Sequence, residues 1–156
     1  MYNISEVFEI AEQIERNGYA FYQKAAEIAV GEESKKFLLD LASMEMDHEK
    51  LFTEMKKKFT SNEMDSPFDG DNIALSYLQA MVDGDVFINI KPSDDLLKGD
   101  ETVADIRKLA IEFEKNTVVY FLSLRNALSD AEDKMKIEKL VNEEIQHIAI
   151  LTNWQI

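Results

Sequence analysis

The same set of chemically active side chains is written twice in this chain. Glu15 precedes Glu45 by 30 positions, and His48 follows Glu45 by three; adding 99 to each number gives Glu114, Glu144 and His147. The chain therefore reads Glu…Glu-x-x-His in one half and again in the other. The flanks repeat as well: Ala11-Glu12-Gln13-Ile14-Glu15 answers Ala110-Ile111-Glu112-Phe113-Glu114, and Leu41 answers Leu140. A duplication constrains the fold more than any local propensity does, because one supersecondary unit has to serve both copies. The period is too long for a solenoid repeat and suits two copies of a helical hairpin.

The apolar residues around the motif keep helical spacing. Val7, Ala11, Ile14, Gly18, Phe21, Ala25 and Ile28 form one row, and Glu15 projects from the same side. This predicts a first helix from a Ser5 cap to about Val30, ended by Gly31. Leu41, Glu45, His48, Phe52 and Met55 predict a second helix from about Glu32 to Phe59, with Glu45 and His48 adjacent on one face. Thr102 with Asp105 is a capping pair for a third helix whose row is Ala110, Glu114, Thr117, Phe121, Leu124 and Leu128. Ser129 with Glu132 reads as a capping box for a fourth, which carries Leu140, Glu144, His147 and Leu151.

Residues 60–101 differ in character. The chain has 5 Gly and 2 Pro, and both Pro fall here. Ser61-Asn62, Ser66-Pro67, Asp69-Gly70, Asp83-Gly84 and Lys91-Pro92 are turn signals. Ile73 to Met81 predicts a short helix, and Val86 to Ile90 an extended or irregular stretch. A connection this long crosses the length of a bundle. The expectation is an all-α, ferritin-like four-helix bundle occupying residues 1–156 as one domain. Its duplicated hairpins span about 5–59 and 102–154, with a crossover at 60–101. A chain of 156 residues, 46 % of them hydrophobic, is long and apolar enough to bury such a core.

Composition removes several functional classes. The chain has no Cys, which excludes thiol catalysis, Cys-ligated zinc and any iron–sulfur or rubredoxin-type iron within it. A net charge of -14, from 31 acidic and 17 basic residues, opposes nucleic acid and anionic membranes as partners. The absence of a signal-peptide pattern, of a transmembrane-length apolar run and of thiols fits a cytoplasmic protein.

What remains is the chemistry of the repeated motif. A buried ionised carboxylate costs several kcal/mol unless it is paired or bound to a cation. Four of them on four facing helices repel one another, and no Lys or Arg shares their rows. Two divalent or trivalent metal ions are the natural compensation. Four carboxylates with two imidazoles suit iron or manganese, with zinc able to compete. A single Glu-x-x-His is weak, but each of the 2 His in the chain has a Glu three positions before it, at equal distance from an upstream core Glu. Tyr22, seven residues after Glu15, is placed to hydrogen-bond a ligand carboxylate. Its counterpart is Phe121, so that role is one-sided. Glu12, Glu49, Glu112 and Glu143 neighbour the motif and are expected to face solvent, while Met, Phe and Trp154 fill the core.

Glu15, Glu45-Met46-Asp47-His48, Glu114 and Glu144-Ile145-Gln146-His147, with Ile14-Glu15-Arg16-Asn17-Gly18 and Phe113-Glu114-Lys115-Asn116 around them, resemble the rubrerythrin branch of the ferritin-like superfamily. The resemblance spans both hairpins. It implies a non-haem di-iron site that reduces hydrogen peroxide, or reacts with dioxygen, in defence against oxidative stress. Glu45 and Glu144 would hold or bridge the metals, Glu15 and Glu114 would each cap one, and His48 and His147 would each add a nitrogen. An iron-handling protein without turnover is the alternative. Rubrerythrins usually carry a Cys-ligated electron-transfer iron; with no Cys here, electrons would come from a separate donor protein. The family also implies a homodimer, with exchange of hairpins through the 60–101 segment. Peroxidase-type members have an extra Glu at the position of Thr117. Thr117 is expected to face the same pocket beside the ligands and to leave a more symmetric site.

Overall fold

The computed structural model describes residues 3–61, 68, 73–84 and 88–156. The order of elements is α1 (Ile4–Ile28), α2 (Glu32–Ser61), α3 (Ile73–Asp83), a 3₁₀ turn (Ile88–Ile90), α4 (Ser93–Leu96), α5 (Val103–Ala127) and α6 (Ala131–Asn153). Four long helices form two antiparallel hairpins, α1–α2 and α5–α6.

Local chemistry sets the ends. α1 starts at Asn3, two residues before the expected Ser5. The Asn3 side chain accepts from the Glu6 N–H at 2.9 Å, and the Glu6 carboxylate accepts from the Asn3 N–H at 2.8 Å. This reciprocal box satisfies two donors and places Ser5 inside the first turn, where its hydroxyl bonds Glu9. α1 ends at Ile28, and Gly31 turns the chain into α2 at φ +97, a backbone region that favours glycine. Thr102 and Asp105 form a full reciprocal box at α5. At α6 the cap is Asp130 and not Ser129: its carboxylate accepts from the Asp133 N–H at 3.0 Å. A charged acceptor gains from the positive end of the helix dipole.

The crossover departs from expectation in detail. α3 runs two residues past Met81, and Ile88–Ile90 forms a 3₁₀ turn instead of an extended stretch. Asn62, Ser66-Pro67, Asp69-Gly70 and residues 85–87 lie outside the described residues. α3 packs on α5, while the 3₁₀ turn and α4 pack on α1. The crossover therefore covers the α1/α5 side of the molecule.

The core divides in two. One apolar cluster gathers Val7, Ile14, Phe52, Phe113, Phe121 and Leu140; the other gathers Phe21, Tyr22, Leu41, Ala110 and Leu151. Every long helix passes from one cluster to the other. Where α2 and α6 cross between clusters they carry Glu45 and His48, and Glu144 and His147; α1 and α5 carry Glu15 and Glu114 at the same level. These six polar residues are all buried. Among the described residues, no helix is long and apolar enough to cross a membrane.

Candidate metal centre

The repeated motif converges at the middle of the bundle. His48 Nδ1 lies 2.7 Å from Glu144 Oε1, 3.6 Å from Glu15 Oε2 and 4.0 Å from Glu45 Oε2. His147 Nδ1 lies 3.0 Å from Glu144 Oε2, 3.4 Å from Glu45 Oε1 and 3.5 Å from Glu114 Oε1. The imidazole rings stack at 5.6 Å between centroids. Donor atoms fall into two groups, each within 4.8 Å: Glu15, Glu45, His48 and Glu144, and Glu45, Glu114, Glu144 and His147. Glu45 and Glu144 belong to both.

Close approach of α1 to α2 depends on Gly18. A β-carbon there would stand 3.3 Å from the Glu45 side chain and 3.2 Å from the Phe113 ring. Gly18 lets Glu45 lie flat against α1, between the two groups. Its counterpart in the duplication is Thr117.

Electrostatics agree with a site built for cations. Both Glu15 oxygens, Glu45 Oε1, Glu114 Oε2, Glu144 Oε2 and His147 Nδ1 are buried without a hydrogen-bond partner among the described residues. Burial, then the charges of Glu144 and Glu45, push the Glu15 carboxyl well above the usual range. Burial and Glu45 raise Glu114. Burial opposes charge on His48, but its contact with Glu144 and the charge of Glu45 prevail and lift it to about 9. His147 is raised for the same kind of reason: burial opposes, and contacts with Glu114, Glu144 and Glu45 outweigh it. The shifts of Glu15, Glu114, His48 and His147 all run toward the protonated form. Four carboxylates and two imidazole nitrogens, aimed inward and short of partners, fit two oxygen- and nitrogen-seeking ions.

Around this centre the structure distributes the neighbouring residues unevenly. The Tyr22 hydroxyl donates to Glu114 Oε1 at 2.5 Å, and burial with the adjacent Glu114 charge raises its own pKa well above the ordinary phenol value. Thr117 is buried three residues after Glu114, but its hydroxyl donates to the Phe113 carbonyl at 3.0 Å and accepts from Asn89 Nδ2 at 2.6 Å. It thus bonds the crossover and its own helix; among the described residues it bonds no carboxylate of the cluster.

Of the four glutamates expected at the surface, one is buried, and a second keeps a partly exposed side chain that reaches a buried imidazole. Glu12 is buried, with Lys56 at 2.5 Å and the Thr53 hydroxyl at 2.8 Å. Glu143 reaches across from α6 and places Oε2 2.9 Å from His48 Nε2. Glu49 is half-buried against Arg16, and Glu112 is exposed beside Lys115. Asn89, on the 3₁₀ turn, had no signal in the sequence. It is fully buried, donates to the Phe113 carbonyl at 2.8 Å, and accepts from Asn17 on its own carbonyl at 2.8 Å.

The α2–α6 side, opposite the crossover, holds a cleft lined by Met44, Asp47, His48, Glu143, Gln146, His147 and Ile150. It leads from solvent to the outer edges of both imidazoles.

Two hairpins and a long crossover, with a carboxylate–histidine cluster between two apolar layers, make a ferritin-like four-helix bundle in a chain without Cys. Residues 1–56, the stretch that includes Glu15, Glu45 and His48, match the model of the Rubrerythrin family. The whole chain is similar to a crystal structure from Thermotoga maritima described as a ferritin-like diiron-carboxylate protein. Its TM-score is 0.74 and its identity 24 %, over 97 % of this chain and 93 % of that one. That likeness carries the fold. No curated protein matches the chain.

Proposed function

We propose that this protein is a non-haem di-iron redox protein that reduces hydrogen peroxide to water with electrons from a separate donor protein. The observation that supports this reading is the pair of donor groups sharing Glu45 and Glu144, with buried oxygens that lack partners. Glu45 and Glu144 would bridge two ions, Glu15 and Glu114 would cap one each, and His48 and His147 would bind through Nδ1. Iron held by these residues would supply the electrons for reductive cleavage of an O–O bond. The net change is H2O2 with two protons and two electrons giving two waters; dioxygen is the other oxidant such a site accepts.

The chain's own residues would set the conditions. Tyr22 fixes the Glu114 carboxylate by its hydrogen bond. Phe21, Phe113 and Phe121, all buried, exclude bulk water from the inner side. The α2–α6 cleft admits a small oxidant past Met44 and Ile150. With no Cys to hold an electron-transfer iron in this chain, a partner supplies reducing equivalents. The reading includes a cytoplasmic homodimer, as in the family it resembles, and manganese or zinc as competing metals.

One observation favours a second reading, iron binding without sustained turnover. Thr117 adds no carboxylate after Glu114, and its hydroxyl is engaged by Asn89 and Phe113. Anaerobic loading with ferrous iron, addition of peroxide, and an excess of reductant separate the two. Many peroxide equivalents consumed per chain are expected; a single equivalent, whatever the reductant, would establish the second reading instead.

A further inference from the structure

The duplication makes the two metal positions look equivalent, but the groups supporting them are not. His48 and His147 both turn Nδ1 inward, so the support of each ring depends on what holds Nε2. For His48 that group is Glu143, whose Oε2 is 2.9 Å away. The residue corresponding to Glu143 in the other half is 143 − 99 = 44, and residue 44 is Met. Met44 and His147 line the same cleft, and a thioether is a weak acceptor. Among the described residues, none hydrogen-bonds the outer nitrogen of His147.

A second difference concerns the capping carboxylates. Glu114 shares Oε1 with the Tyr22 hydroxyl at 2.5 Å. Glu15 is its counterpart; the residue that matches Tyr22 in the other half is Phe121, which has no hydroxyl to donate, and both Glu15 oxygens are buried without a hydrogen-bond partner among the described residues. The Tyr22 hydrogen bond orients Glu114 but draws charge from its carboxylate, whereas an imidazole whose outer N–H donates to a carboxylate is both better oriented and a stronger ligand.

We propose that the two metal positions are unequal, and that Glu143 is the positioning residue that makes the Glu15–His48 position the tighter one. This rests on the reading of His48 and His147 as ligands. Glu143 acts through the ring: its carboxylate fixes the orientation of His48 and draws on the outer N–H, so Nδ1 stays aimed at its ion. On the other side, His147 is held by its metal and by packing alone. The Glu114–His147 position is therefore the first to empty and the first to exchange.

Zinc, being diamagnetic, is the probe. In zinc-loaded protein with 15N-labelled histidine, the His48 ring N–H is expected to exchange slowly with solvent and to resonate downfield, and that of His147 to exchange fast. Release of zinc into excess chelator should show two phases of one ion each. Glu143→Ala should abolish the slow ring proton and accelerate the slow phase by roughly 10–100-fold, the usual effect of removing such a support. Glu143→Gln, which keeps an acceptor oxygen, should restore most of both. Met44→Glu should slow the fast phase. The Glu143 side chain is 42 % exposed, so neither variant at that position threatens folding. If Glu143→Ala leaves the ring proton and both phases as they were, the proposal is wrong. His48→Ala is the separate control: two zinc ions retained with unchanged release would overturn the ligand reading itself.

Discussion

At the scale of single residues, Gly18 shows how narrow the tolerances of the centre are. Gly18→Ala gains helix propensity of roughly 1 kcal/mol, while the new methyl crowds Glu45 and Phe113 at 3.3 and 3.2 Å. Such overpacking costs about 1–3 kcal/mol. In metal-free protein Glu45 can swing aside and the two effects largely cancel. If Glu45 bridges two ions as proposed, it cannot move without leaving both. We expect a nearly unchanged melting temperature for the metal-free variant, with affinity at both positions reduced at least tenfold by metal titration. His48→Ala and His147→Ala should behave differently, each lowering the metal count by about one per chain in elemental analysis; full occupancy in both would mean that neither is a ligand. The six residues of the cluster were legible in the sequence because the duplication marked them together. Glu143, Glu12 and Asn89 were not. Glu143 and Glu12 stand beside core positions on their helices, and the partners that draw them in lie 95 and 41 residues away. Asn89 stands in an irregular segment with no period to read.

At the scale of elements, the four long helices were readable from apolar periodicity, with errors confined to caps. Asn3 and Asp130 displaced Ser5 and Ser129 because each is a capping side chain with a free N–H three residues on, and spacing alone cannot choose between adjacent candidates. The crossover was readable only as a long connection. Its attachment to the α1/α5 side includes Asn89, whose amide joins the turn to Phe113 and Thr117. Asn89→Ala should cost about 1–3 kcal/mol, the range for losing buried hydrogen bonds, measured by urea denaturation. It should also raise amide exchange in α3 and the 3₁₀ turn more than in α1 or α2. A uniform rise across all helices would mean that the crossover has no separate stability of its own.

At the scale of the whole molecule, metal binding at the cluster is expected to be linked to folding stability. In the metal-free cluster the shifted groups favour their protonated forms. His48 has an ordinary pKa of 6.5 and a folded value of about 9. A raised pKa on a base contributes stability that is fully present below 6.5 and lost as pH climbs through 9. Glu15 and Glu114 are raised too, so their deprotonation with rising pH also favours the unfolded chain. The melting temperature of metal-free protein should therefore fall between pH 6.5 and 9. Bound metals displace those protons, and the decline should shrink or vanish in the loaded form. Chelation at pH 7 should lower the melting temperature and added ferrous or manganous ion restore it, since the ions bind the folded state alone. The most direct measurement is anomalous diffraction at the iron edge from crystals of iron-loaded protein. Two peaks are predicted between the helices, one among Glu15, Glu45, His48 and Glu144, the other among Glu45, Glu114, Glu144 and His147. Iron bound elsewhere, or no peak between the two histidines in a crystal shown to contain iron, would contradict the account.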